Sequence, residues 1–139
     1  MAAAEVESGD QLIYRNVDFN TYGFLNATED FIENHADLAQ AVVDAYEQAR
    51  EWALENPDET AALLAEVAGI DIEVAKTVIT ERSNLDVSGI PGDDQVAVLE
   101  KIAPVLVDSG DVQGGEDSVD KALDSIVNAT FAEKAVGGE

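Results

Sequence analysis

The sequence predicts a mostly α-helical chain with a short β element at its N-terminal end, on three observations. Apolar residues recur at three- and four-residue spacing from Thr28 onward, the period of a helix with one buried face. Cap-forming and helix-ending residues cut that pattern into pieces of one helix each. Upstream of Thr28, two short aromatic and aliphatic runs are bounded by glycine, aspartate and asparagine, which is the pattern of short strands. A chain of 139 residues that is 46% hydrophobic suffices for one packed domain, residues 1–139, with 1–27 as the strand region and 28–136 as the helical part.

The two strand candidates are Gln11-Leu12-Ile13-Tyr14 and Tyr22-Gly23-Phe24-Leu25. Thr28 then stands as an N-cap ahead of Glu29 and Asp30, acids suited to the positive end of a helix. After a junction at Asn34-His35-Ala36, a long helix begins near Asp37. It places Leu38, Ala41, Val42, Ala45, Tyr46, Ala49, Trp52 and Ala53 on what the spacing predicts to be the buried face. Asn56, Pro57 and Glu59 supply a cap, a first-turn proline and an early acid for the next helix, whose inner face is Ala61, Leu64, Ala65 and Ala68.

Gly69 can end that helix in the left-handed conformation, and Asp71 can cap another that carries Val74, Ala75, Val78 and Ile79. A loop rich in turn formers, Ser83 to Asp94, leads to a helix with Val96, Leu99, Ile102, Ala103 and Leu106 on one side. Pro104 is expected to bend it and Gly110 to stop it. The spacing of Val119, Ala122, Leu123, Ile126 and Thr130 predicts a last helix from about Asp117 to Ala135, followed by a disordered Gly137-Gly138 tail.

Thirty acidic residues against seven basic ones give a net charge of −23, which repels phosphate backbones and anionic headgroups and argues against nucleic acid and membrane surfaces as partners. No stretch approaches the ~18 apolar residues of a membrane helix, so direct membrane insertion is not expected. The Met1 region lacks the basic and apolar parts of a signal peptide. The absence of cysteine removes disulfides, thiolate nucleophiles and thiolate metal sites. The single histidine, His35, falls at a helix junction, where a surface role is expected rather than that of a base.

With no nucleophile, base and orienting group at telling positions, the chain reads as no enzyme and needs no cofactor. The stretch Asp108 to Glu116 has the outline of a calcium loop, but Gly110 and Val112 occupy positions that such a loop fills with aspartate or asparagine. Gly89-Ile90-Pro91-Gly92 has neither the spacing nor the lysine of a phosphate loop. Asn26-Ala27-Thr28 and Asn128-Ala129-Thr130 match the glycosylation triplet, the first being already explained as a cap.

Two short strands alone are marginal and expose unpaired backbone groups, so they suggest a chain cut from a larger mixed sheet. The order of motifs points the same way. Tyr14, the run Tyr22-Gly23-Phe24-Leu25-Asn26-Ala27-Thr28-Glu29-Asp30-Phe31, the junction Asn34-His35-Ala36-Asp37-Leu38 and the stretch Trp52-Ala53-Leu54-Glu55-Asn56-Pro57 follow one another in a family-like arrangement. Ala61-Ala62-Leu63-Leu64, Gly69-Ile70-Asp71, Thr80 to Asp86 and Leu106 to Gly110 continue it. Together they resemble the sulfonate, taurine and nitrate family of ABC-importer solute-binding proteins, with Ala36 where proline is usual and Thr28 where serine is usual.

The resemblance implies the C-terminal fragment of a two-lobed α/β, type II periplasmic-binding-protein-like fold. Residues 1–27 would form a strand and hinge region and 28–136 the helical part of the first lobe. The parent would be extracytoplasmic, would deliver a small anionic solute such as an aliphatic sulfonate, and would dock on the ABC permease of its system. Asn20, Thr21 and Tyr22 would lie near the cleft, with Arg15 as the nearby cation for an anion site. The same residues also fit a plainer reading in which Tyr22 and Phe24 pack on a sheet and Asn20 forms a turn. Exposed strands would allow exchange between chains and a homo-oligomer. The alternative is a standalone acidic helical module that binds another protein through an apolar groove.

Overall fold

The computed structural model describes residues 2–14, 23–112 and 114–137. Its elements are α1 (Ala2–Ser8), α2 (Glu29–Asn34), α3 (Ala36–Glu55), α4 (Pro57–Ala68), α5 (Ile72–Thr77), α6 (Asp93–Ser109), α7 (Gly115–Leu123) and α8 (Thr130–Gly137). A π-helical turn, Val78–Arg82, continues α5. The chain groups into two compact units, Met1–Gly23 with Ala45–Val87, and Phe24–Asp44 with Ser88–Glu139.

Among the described residues there is no strand, which overturns both the short β element and the type II α/β fold. Gln11 to Tyr14 and Gly23 to Leu25 are irregular, and Ile13 is 96% exposed. The physical reason is that an isolated pair of short strands has no sheet face to bury and no third strand to complete its hydrogen bonds. The expected exchange through strand edges therefore has no edge to use within these residues. Ahead of the first strand candidate lies α1, not expected from sequence, whose Ala2-Ala3-Ala4-Glu5 start consists of strong helix formers. Gly9, at φ 69°, ends it, with the Asp10 N–H donating to Ala4 O at 3.2 Å.

In the first unit the caps expected from sequence are in place. Gly69 adopts φ 64° and ψ 36° after α4, and Asp71 Oδ1 accepts the Glu73 N–H at 2.8 Å to start α5. Ala61, Val74 and Ala75 are buried between α4 and α5, and Ala2 of α1 is buried as well. Arg82, at the end of the π-helical turn, reaches back to both carboxylate oxygens of Glu5 at 2.7 and 3.0 Å. Asn56 departs from expectation, since its side chain does not cap α4. Its Nδ2 donates to Trp52 O at 2.8 Å and so finishes α3, leaving Pro57, which has no N–H to satisfy, to open α4.

The second unit opens with Thr28, whose Oγ1 accepts the Phe31 N–H at 3.2 Å. Gly110 ends α6 at φ 79°. The predicted last helix is two helices: α7 closes at Leu123 with the Asp124 N–H on Asp120 O, and Asn128 Oδ1 accepts the Thr130 N–H at 3.0 Å to begin α8. An asparagine side chain that competes for a backbone donor favours a new helix start over a continuous one. Gly137 ends α8 instead of beginning a disordered tail, and Gly138 lies outside the described residues.

Gly114 precedes α7 at φ 95°, and a Cβ there would lie 2.8 Å from Ser118 Cβ. Gly114→Ala is expected to destabilise the chain by about 2 kcal/mol, from the left-handed backbone and the clash together. A urea midpoint unchanged by that substitution would contradict the turn geometry.

The face that α3 buries is not the predicted one. Leu38 is 51% and Tyr46 63% exposed, and Val42 and Trp52 are exposed too, whereas Ala39 and Glu47 are buried and Val43 and Arg50 half-buried. The observed inner face is rotated by roughly a third of a turn from the apolar stripe. In the second unit Gln40 holds it through Nε2, which donates to Phe131 O at 2.9 Å and to Asp44 Oδ1 at 2.8 Å. In the first unit an ion pair holds it.

Candidate interaction surface

That ion pair joins Glu47 and Arg50, one turn apart on α3. Arg50 Nε and Nη2 donate to the two carboxylate oxygens at 2.9 and 2.6 Å, and Nη1 donates to the Leu85 carbonyl at 2.8 Å. The guanidinium thus clamps α3 to the loop after the π-helical turn. Its hydrogen bonds hold the Glu47 carboxyl below its ordinary value of 4.5 against the opposing effect of burial, and Glu47 in turn raises Arg50. All three of these Arg50 donors are taken internally, so the pair ties α3 to that loop and leaves little to offer a ligand.

The residues expected at a solute cleft, Arg15, Asn20, Thr21 and Tyr22, lie outside the described residues. His35 is a junction residue, as expected: its N–H donates to Phe31 O at 2.9 Å and its ring lies 5.4 Å from that of Phe31. Among the described residues no group of three or more metal-capable side chains comes together, the stretch from Asp108 included. Ser109 Oγ there lies 2.6 Å from Asp111 Oδ2. Among the described residues no helix is long and apolar enough to cross a membrane.

Within the second unit, α6 and α7 form a groove of about 300 Å³. Ala103, Pro104, Val107, Val119 and Leu123 make its floor, and Glu100, Glu116, Asp120 and Asp124 its rim. Three of the rim acids repeat every fourth residue, Glu116 and Asp120 on α7 and Asp124 at its C-cap, which stacks them along one edge. Pro104 lacks the N–H that the Glu100 carbonyl would otherwise accept one turn on. Among the described residues none of the four carboxylates is within ion-pair distance of a lysine or arginine.

The groove side of α6 also carries Val96 and Leu99, both half-buried, beside the buried Ala103. On the opposite side Val98, Ile102 and Val105 are 42, 49 and 63% exposed at the spacing of a single stripe, so Ile102 departs from the inner side that the sequence predicted for it. This helix therefore has two apolar faces and has covered one of them. The first unit shows a smaller example in Leu63 and Val67, four residues apart on α4 and both exposed.

No known family matches this chain. Comparison with protein families, with curated proteins and with solved structures found nothing similar, so the resemblance to solute-binding proteins rests on the short motifs that carry it.

Neither the rim nor the open stripe of α6 was singled out from sequence. A signal for the rim existed. Acids at Glu116, Asp120 and Asp124 at four-residue spacing repel one another by a few tenths of a kcal/mol per pair. Val98 and Val105 were equally legible as a second stripe on α6, but the stronger stripe drew the assignment.

Proposed function

We propose that this chain is a non-catalytic, acidic helical module that binds a basic partner protein through apolar faces left open on its helices. The observation that carries the reading is the second stripe of α6, Val98, Ile102 and Val105, set opposite a face already packed on α7. A stripe of this kind at helical spacing is the pattern by which helices dock on other helices or into grooves. The buried apolar set, which consists of Ala2, Ala39, Ala61, Val74, Ala75 and Ala103, points the same way. Among the described residues the buried apolar side chains are five alanines and one valine, while many large ones are half-buried or exposed, a poor distribution for the stability of a chain acting alone. The charge of −23 selects a partner of opposite sign and disfavours a second copy of the same chain.

The test uses the free protein. Ile102→Lys and Val105→Lys, alone and together, are expected to change its unfolding free energy by less than about 0.5 kcal/mol per site, because neither side chain is part of the interior. A loss above about 2 kcal/mol for either would mean that the stripe belongs to the chain's own core, and the reading would fail. Calorimetric titration with taurine and with an alkanesulfonate is expected to show no micromolar binding. Micromolar affinity would favour the solute-binding reading instead.

A further inference from the structure

We infer that the groove between α6 and α7 receives a basic amphipathic segment of a partner protein, with lysine or arginine stems lying on the apolar floor and their cationic ends on the acidic rim. The inference rests on the reading of the chain as a binding module and names the chemistry of one of its partners. It is carried by the pairing of two features at one place. The floor of Ala103, Pro104, Val107, Val119 and Leu123 is apolar, and the charged side chains among the described residues that line the groove are the four carboxylates of Glu100, Glu116, Asp120 and Asp124.

An apolar ligand of no charge would leave those carboxylates facing it without return, and an inorganic cation would find no reason for the apolar floor. A long basic side chain satisfies both, because its methylenes cover apolar surface while its charged end remains at the edge. Arginine adds a planar fork able to take a carboxylate in bidentate fashion. The groove's volume of about 300 Å³ is at the lower end of ligand-site sizes, enough for one or two such side chains and too small for a folded domain to enter.

The rim also explains a local cost. Glu116 and Asp120 on α7 and Asp124 at its C-cap are stacked at four-residue intervals, and among the described residues no cation lines the groove or pairs with them. Their repulsion is relieved when a cationic segment lies along them, so binding and the stability of α7 should rise together.

The probe is a synthetic peptide of roughly 18 residues with leucine and lysine at helical spacing, titrated into the full chain at low salt by fluorescence anisotropy. A peptide of equal charge with every leucine replaced by glutamine is the comparison. The expected result is tighter binding of the leucine-containing peptide and at least a tenfold loss in the variant Glu100→Gln/Glu116→Gln/Asp120→Asn/Asp124→Asn. The variant Glu7→Gln/Glu33→Gln/Glu55→Gln/Glu66→Gln removes the same charge from exposed positions elsewhere and should stay within about twofold of the natural chain.

Equal losses in the two variants would show that the field of the whole chain attracts the peptide, and would overturn the groove as its site. Equal binding of the two peptides would remove the floor from the recognition, with the same consequence, as would no binding of the leucine-containing peptide. None of these outcomes touches the open stripe of α6, whose stability test decides the broader reading separately.

Discussion

Glu47→Gln is expected to lower the unfolding free energy at pH 7 by about 2 kcal/mol and to make the remaining stability less sensitive to acid. The carboxylate accepts two hydrogen bonds from Arg50, and the two side chains are only 10 and 24% exposed. Removing one member of a buried pair typically costs about 3–5 kcal/mol, because the other charge is left desolvated and alone. Here the cost is smaller, since Arg50 keeps the Leu85 carbonyl and partial access to water.

The pH dependence follows from the direction of the shift. The Glu47 carboxyl titrates below its ordinary value of 4.5 in the folded chain, mainly through the Arg50 hydrogen bonds. The stabilisation is fully present above the unfolded value and disappears as pH falls through the folded one. The difference between the natural chain and Glu47→Gln should therefore hold constant from pH 7 to about 5.5 and shrink at lower pH. Urea denaturation at pH 7, 5, 4 and 3 would measure it. A difference that persists undiminished at pH 3, or one below about 0.5 kcal/mol at pH 7, would contradict the clamp.

Raising sodium chloride from about 10 mM to about 1 M is expected to raise the thermal midpoint by roughly 10 °C, since the screening length falls from about 30 to about 3 Å. A net charge of −23 on 139 residues destabilises a folded chain by self-repulsion. The ion pairs that salt would weaken are few among the described residues: Arg50 with Glu47, Arg82 with Glu5 and with Glu81, and Lys76 with Glu73. Lys76–Glu73 is exposed at 3.4 Å and contributes little in any solvent. Screening therefore relieves more repulsion than it costs in attraction. Chloride is the proper anion for the test, because sulfate would also strengthen apolar burial and mix two effects. A midpoint that falls with added sodium chloride would mean that the acidic surface is neutralised by interactions of greater weight than these pairs.

The helix starts and stops at Thr28, Gly69, Asp71 and Gly110 were legible because each depends on one side chain, or on one glycine, acting within its own turn. The groove rim was legible only as a charge pattern, since α6 and α7 must pack before Glu100 can join the acids of α7. The strand expectation failed for a related reason. Aromatic and aliphatic runs such as Gln11 to Tyr14 favour extended structure only where another strand accepts their hydrogen bonds, and local composition cannot supply one. The break between α7 and α8 depends on Asn128 turning its oxygen to the Thr130 N–H, a choice that apolar spacing across the junction concealed.

The sequence by itself determined that most of the described residues from Glu29 to Gly137 lie in helices, where most of those helices begin and end, and that the surface is strongly anionic. Those properties arise from caps, propensity and charge, which act over one turn or over the whole chain without regard to arrangement. Only the tertiary structure decided which face α3 buries. On α3 the apolar stripe of Leu38, Val42 and Tyr46 and the mixed face of Ala39, Val43, Glu47 and Arg50 are both continuous at helical spacing. The mixed face turns inward because Arg50 can answer both Glu47 and the Leu85 carbonyl, a contact between segments 35 residues apart that no local pattern contains.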